Sequence, residues 1–139
     1  MKQEVPELYR HLVSLDRAIA ESGIDPVLLE LIKIRTSQIN RCAYCIDLHS
    51  TAALQKGESV QRLFALSAWS ESPLFTEAEK AVLQVTEAIA LIHKQGVCMQ
   101  SYEELRSFFD QKGIAKLVMA MIMINAWNRS AISSQIQYT

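Results

Sequence analysis

The chain has 139 residues, half of them apolar and 21% charged, with a net charge of −1. That length and balance suit a single soluble globular domain over residues 1–139 with a core of its own. They exclude the basic footprint of a nucleic-acid binder and the basic amphipathic stretch of a membrane-surface protein.

Met1 to Arg10 carries charges and lacks the apolar run of a secretory signal. Helix signals then follow one another. Pro6 to Glu21 places Leu8, Leu12, Leu15 and Ile19 at helical spacing, and Gly23 ends it. Asp25 with Pro26 predicts a cap and first position for a second helix, to about Gln38. Asn40 is expected to open a third, which carries Cys42, Cys45 and His49 and stops near Gly57. Ser59 to Ser67 reads as a short helix. Thr76 with Glu79 forms a capping box before Ala78 to Ile92, and Ser101 with Glu104 a second one before Tyr102 to Phe109. A long helix over Ile114 to Ser133 completes the pattern. Strand signals are nearly missing, so the expected class is an all-α helical bundle.

Two segments are apolar nearly all round: Val27 to Ile34 and Leu117 to Ile124. Such helices need enclosure on every side, and a chain this short has trouble enclosing two. Part of that surface is therefore expected to meet other subunits. The rival reading is one well-covered central helix. The longest uninterrupted apolar run, Leu117 to Ile124, is too short to span a bilayer. A cytosolic location follows as the expectation, and there a close cysteine pair means redox work or a metal more often than a structural disulfide.

The pair is Cys42-Ala43-Tyr44-Cys45, with His49 one turn on. At about 100° per residue the three side chains share one helix face. Helices flanking a turn near Ile39 to Arg41 would bring Glu30 level with His49 if they pack as an antiparallel hairpin. Glu30 lies among Leu28, Leu29, Leu31 and Ile34, company in which a carboxylate needs a partner or a task. A free thiol has a pKa of ~8.5, and the thiolate is the nucleophile. The helix start favours the anion by roughly 0.3–1 kcal/mol, and a histidine held by a carboxylate can take the proton. Cys45, one turn from His49, is then the better-activated thiol. It would attack a peroxide and become a sulfenic acid, and Cys42 would condense with it to a disulfide. Structural thiols and a zinc site compete with this reading. Zinc would need a second Cys/His pair, and His11 and His93 are isolated. A thioredoxin fold is disfavoured, because its motif follows a strand. Cys98 reads as a free, half-buried thiol.

The run from Glu30 through Lys33-Ile34-Arg35-Thr36-Ser37-Gln38-Ile39-Asn40 to Cys42-Ala43-Tyr44-Cys45-Ile46-Asp47-Leu48-His49 resembles the core of AhpD-like alkylhydroperoxidases, of the carboxymuconolactone decarboxylase superfamily. Asn125-Ala126-Trp127-Asn128-Arg129 resembles a second segment common near their C-termini. The resemblance implies an AhpD-like single-repeat helical fold and homo-oligomers, trimers or hexamers. It implies hydroperoxide reduction with Cys45 as the peroxide-reacting residue, Cys42 as the resolving one that exchanges with a reductant, and Glu30 and His49 as a proton relay. The implied partner is a dihydrolipoamide-type or thioredoxin-like dithiol, with no haem, flavin or metal. Tyr44 departs from the pattern, standing where the best-known relative has a second histidine. The Trp127 segment is expected to serve packing or a subunit seam rather than the pocket. A decarboxylase without thiol chemistry and a non-catalytic redox sensor are the alternative functions.

Overall fold

The computed structural model describes residues 2–135. Among them are seven α-helices, a 3-10 turn at Leu66–Ala68 and no strand, as the sequence predicts. In chain order they are α1 (Pro6–Ala20), α2 (Pro26–Asn40), α3 (Ala43–Gln55), α4 (Val60–Ala65), α5 (Glu77–Ala90), α6 (Met99–Arg106) and α7 (Gln111–Ser133).

Helix α2 is the axis of the bundle. It starts where Asp25 accepts a hydrogen bond from the Leu28 amide, with Pro26 at the first position. Leu28, Leu29 and Ile32 pack into a cluster with Val82, Val85, Leu117, Met121 and Ile124 of α5 and α7. Leu31 and Ile34 face the other way, against Ala53, Leu66, Phe75 and Leu83. The all-round apolar character of α2 is thus accounted for within one chain, by the central-helix reading. Helix α7 is different: Leu117, Met121 and Ile124 are buried, but Met119 and Ile122 remain exposed. The stripe predicted on α1 is also only half covered, with Ile19 buried and Leu8 and Leu15 in the open.

The α2–α3 connection is very short. Arg41 adopts a left-handed conformation with φ 58°. The Arg41 amide donates to the Gln38 carbonyl and the Cys42 amide to the Ser37 carbonyl, the paired bonds of a Schellman turn. A non-glycine residue in that region costs on the order of 1 kcal/mol. Asn40 ends α2 rather than opening α3, and Cys42 is the N-cap of α3 rather than a member of it. The chain reverses at once, so the two helices lie side by side.

Side-chain amides fasten this turn to α7. Asn128 is fully buried, donates to Ser37 Oγ and accepts from Asn40 Nδ2, which also donates to Asn125 Oδ1. Arg62 braces the other side, paired with Glu58 and Glu79 and lying over the Phe75 ring. Thr76 and Glu79 form the expected capping box of α5. The second predicted box is corrected. Cys98 caps α6, its sulfur accepting from the Ser101 amide, so the helix begins at Met99. Cys98 is free and exposed rather than half-buried. Helix α7 begins a turn earlier than predicted, because Asp110 accepts from the Gly113 amide.

Replacing Asn128 with alanine removes the hydrogen bond to Ser37 Oγ and the one from Asn40 Nδ2, and should cost about 1–3 kcal/mol. Urea denaturation measures this, and an unchanged midpoint would show that the amide cluster does not hold the turn.

Candidate active site

Cys42 and Cys45 form a disulfide across the first turn of α3, with Cα atoms 5.3 Å apart. Both residues are buried, 2% and 3% exposed. Cys45 lines a cavity of about 240 Å³, and Cys42 is not among its lining residues. His49, one turn beyond Cys45, lines the same cavity. The shared face predicted from spacing therefore holds for Cys45 and His49. Cys42 reaches its partner from outside the helix, because the Schellman turn delivers it there.

The hairpin brings Glu30 to His49, as its equal distance from the turn predicts. Glu30 Oε2 is 2.8 Å from His49 Nδ1. Nδ1 acts as the donor to this carboxylate, which leaves Nε2 as the imidazole's other nitrogen for proton transfer. The second partner of Glu30 has no signal in the sequence. Lys56, the cap residue of α3, donates to Oε1 at 2.5 Å. Gly57 follows it with φ 97° and completes the turn that ends the helix. Both oxygens of the buried carboxylate are therefore occupied. Burial opposes ionisation of Glu30, but the bonds from His49 and Lys56, with the charges of His49 and Lys33, outweigh it and hold the carboxyl below its usual 4.5.

Other walls of the cavity come from elements far away in sequence. Tyr9 and Val13 of α1 and Trp127 and Ala131 of α7 line it beside Leu48 and Tyr44. The Tyr9 and Trp127 rings meet edge to face, with centroids 5.4 Å apart. The Asn125–Arg129 segment thus serves both purposes: Asn128 packs the interior, and Trp127, against expectation, shapes the pocket. Polar groups on the walls are Asp16, His49 and Ser130. Asp16 lies 3.6 Å from the ammonium of Lys33, itself a buried lysine on α2. Signals for Tyr9 and Asp16 are absent from the local sequence, since only the α1–α7 packing brings them here.

Among the described residues no group of three or more His, Cys, Asp or Glu side chains is placed to hold a metal ion. His11 and His93 are exposed, away from the cavity. No helix among the described residues is long and apolar enough to cross a membrane.

The model of the carboxymuconolactone decarboxylase family matches residues 6–88. The uncharacterized protein YdfG of Bacillus subtilis is 38% identical over 128 residues, 92% of this chain and 87% of its own. A crystal structure of a protein of unknown function from Agrobacterium tumefaciens, proposed to be the antioxidant defence protein AhpD, superposes with a TM-score of 0.96 at 34% identity. It covers 99% of this chain and 94% of that one. The debrominase Bmp8 shares the fold, with a TM-score of 0.82 at 20% identity over 96% of this chain and 72% of its own.

A pH dependence follows from Glu30. Its carboxyl binds a proton less readily when folded than unfolded, so its stabilisation is complete above pH 4.5 and is lost as pH falls through the lower folded value. The stability difference between the parent and Glu30→Gln should therefore narrow as pH falls below 4.5. Denaturant titrations across that range check it, and a gap that stays constant would contradict the assignment.

Proposed function

The chain belongs to the carboxymuconolactone decarboxylase family, and within it we propose that this AhpD-like protein is a thiol-dependent peroxidase and disulfide reductase. The observation that carries the reading is Cys45 on a cavity wall beside a histidine anchored by a buried carboxylate. Nothing else among the described residues joins a nucleophile to a base in this way.

The cycle runs through the reduced pair. His49 takes the proton of the Cys45 thiol, and Glu30 holds the ring in place. The thiolate attacks the outer oxygen of a hydroperoxide. The O–O bond breaks, the sulfur becomes a sulfenic acid, and the leaving alkoxide takes the proton back as an alcohol. The Cys42 thiol then displaces hydroxide from that sulfur, giving the disulfide and one water. A dithiol of the dihydrolipoamide or thioredoxin-like type restores both thiols and leaves as its own disulfide. In the oxidised form Cys42 is covered. Exchange at Cys42 therefore requires the first turn of α3 to loosen. Need of a dithiol suits a reducing compartment such as the cytoplasm.

The cavity supports an organic hydroperoxide over hydrogen peroxide. About 240 Å³ is room for several molecules of the size of water, at roughly 30 Å³ each, and Trp127, Tyr9, Leu48 and Val13 offer apolar walls. A decarboxylase would use the His49 and Glu30 pair but leave the two cysteines without a task.

Self-association as a homo-oligomer, trimer or hexamer, is part of the same proposal. A shallow groove between α1 and α7, lined by Leu15, Ala18, Ala115 and Met119, is almost wholly apolar. Leu8, Val13 and Ile122 add exposed apolar surface on the same two helices.

Two measurements test these statements. Reduced protein treated with cumene hydroperoxide should lose two hydrogens across Cys42 and Cys45, and Cys45→Ser should abolish the loss; an unaltered mass in the parent rejects the peroxidase. Sedimentation at micromolar concentration should show an assembly, and a clean monomer removes the oligomer.

A further inference from the structure

We infer that Lys56 is a positioning residue of the dithiol site: by occupying Oε1 of Glu30, it offsets the carboxylate's pull on the imidazole proton and keeps His49 available as a base. The inference rests on the reading of His49 as the base for Cys45.

Glu30 has two oxygens and almost no contact with solvent, its side chain being 4% exposed. Oε2 meets His49 and Oε1 meets Lys56. A carboxylate facing only an imidazole stabilises the protonated ring, so less of the neutral ring is present to accept a proton. An ammonium on the other oxygen draws on the same negative charge and weakens that pull. It also keeps the carboxylate ionised, so that Glu30 orients the ring without carrying the proton itself. Lys56 is not an incidental surface partner. Its side chain is 38% exposed while Glu30 is nearly sealed, so the lysine covers the open end of a buried anion. It arrives there because α3 ends at Gln55 and Gly57 turns the chain in a left-handed conformation.

The charged surroundings of His49 are few. Helix α2 brings Glu30 and Lys33; Lys33 is paired at 3.6 Å with Asp16 of α1, which also lines the cavity. Its own helix brings Cys45 and Tyr44, and α1 adds Tyr9. The α7 side chains on the cavity, Trp127, Ser130 and Ala131, carry no charge. With Lys33 committed toward Asp16, Lys56 is the cation in direct contact with the carboxylate.

The test uses the reduced full-length chain with Cys98→Ser, so that the pair alone reacts. The His49 titration is followed by NMR, its signal assigned by His49→Gln. In Lys56→Met the midpoint should rise by roughly 0.5–1 pH unit, and Lys56→Arg should restore it. The acid limb of Cys45 alkylation should move by the same interval. In a Glu30→Gln background Lys56→Met should leave the midpoint in place. A purely structural lysine would lower stability in Lys56→Met without moving the midpoint, and that result overturns the inference, as does an equal shift without Glu30. Failure of the base reading looks different: His49→Gln would alkylate at Cys45 as fast as the parent, whatever the NMR midpoint does.

Discussion

A carboxylate placed inside a helical core is the constraint around which this molecule is arranged. Stripping an ion of water costs several kcal/mol unless partners replace the lost hydration. Glu30 sits on the most enclosed helix of the bundle, between two apolar clusters. Its position is tolerable because α3 runs alongside and supplies two donors, His49 near its middle and Lys56 at its end. Remove the hairpin and the acid has no company. Remove the acid and two donors lose their shared acceptor.

The hairpin in turn depends on one turn of unusual backbone. Arg41 accepts the left-handed conformation usually left to glycine. Its strain is repaid by the two Schellman hydrogen bonds and by the Asn40–Asn125–Asn128–Ser37 amide cluster that ties the corner to α7. Placing Cys42 at the N-cap has a chemical effect as well. One sulfur belongs to a rigid helix and lines the cavity, while the other stands on the connection. Cap donors that a serine or aspartate would satisfy are not bonded by the Cys42 side chain. The first turn of α3, like that of α1, therefore starts without a side-chain cap.

Much of this was legible from residue order. The level placement of Glu30 and His49 follows from counting away from the turn, because both helices rise by the same step per residue. The caps of α2 and α5 follow from Asp25-Pro26 and from Thr76 with Glu79, where the chemistry is local. What stayed hidden was non-local or atypical. Lys56 sits past the helix end, and its reach depends on the direction in which Gly57 sends the chain. Tyr9, Asp16 and Trp127 meet across α1 and α7, which no spacing rule connects. A sulfur serving as the α6 cap is outside the usual oxygen pattern, so the Ser101 box looked sound. The half-covered α1 stripe was invisible for a related reason: periodicity shows that a face is apolar but not what covers it.

The division between α2 and the start of α3 separates an enclosed helix from a chain reversal. The acid belongs to the part of the fold that opens last, because its helix is buried on both sides. The sulfurs belong to a corner, Cys42 on the connection and Cys45 on the first turn of α3. Opening the Cys42–Cys45 disulfide would therefore act first on a few residues at the corner, while the contacts of Glu30 with His49 and Lys56 lie further along α3. Heat or denaturant acts in the opposite order of consequence, since dismantling the central helix takes Glu30 away from His49 and Lys56 in one cooperative event.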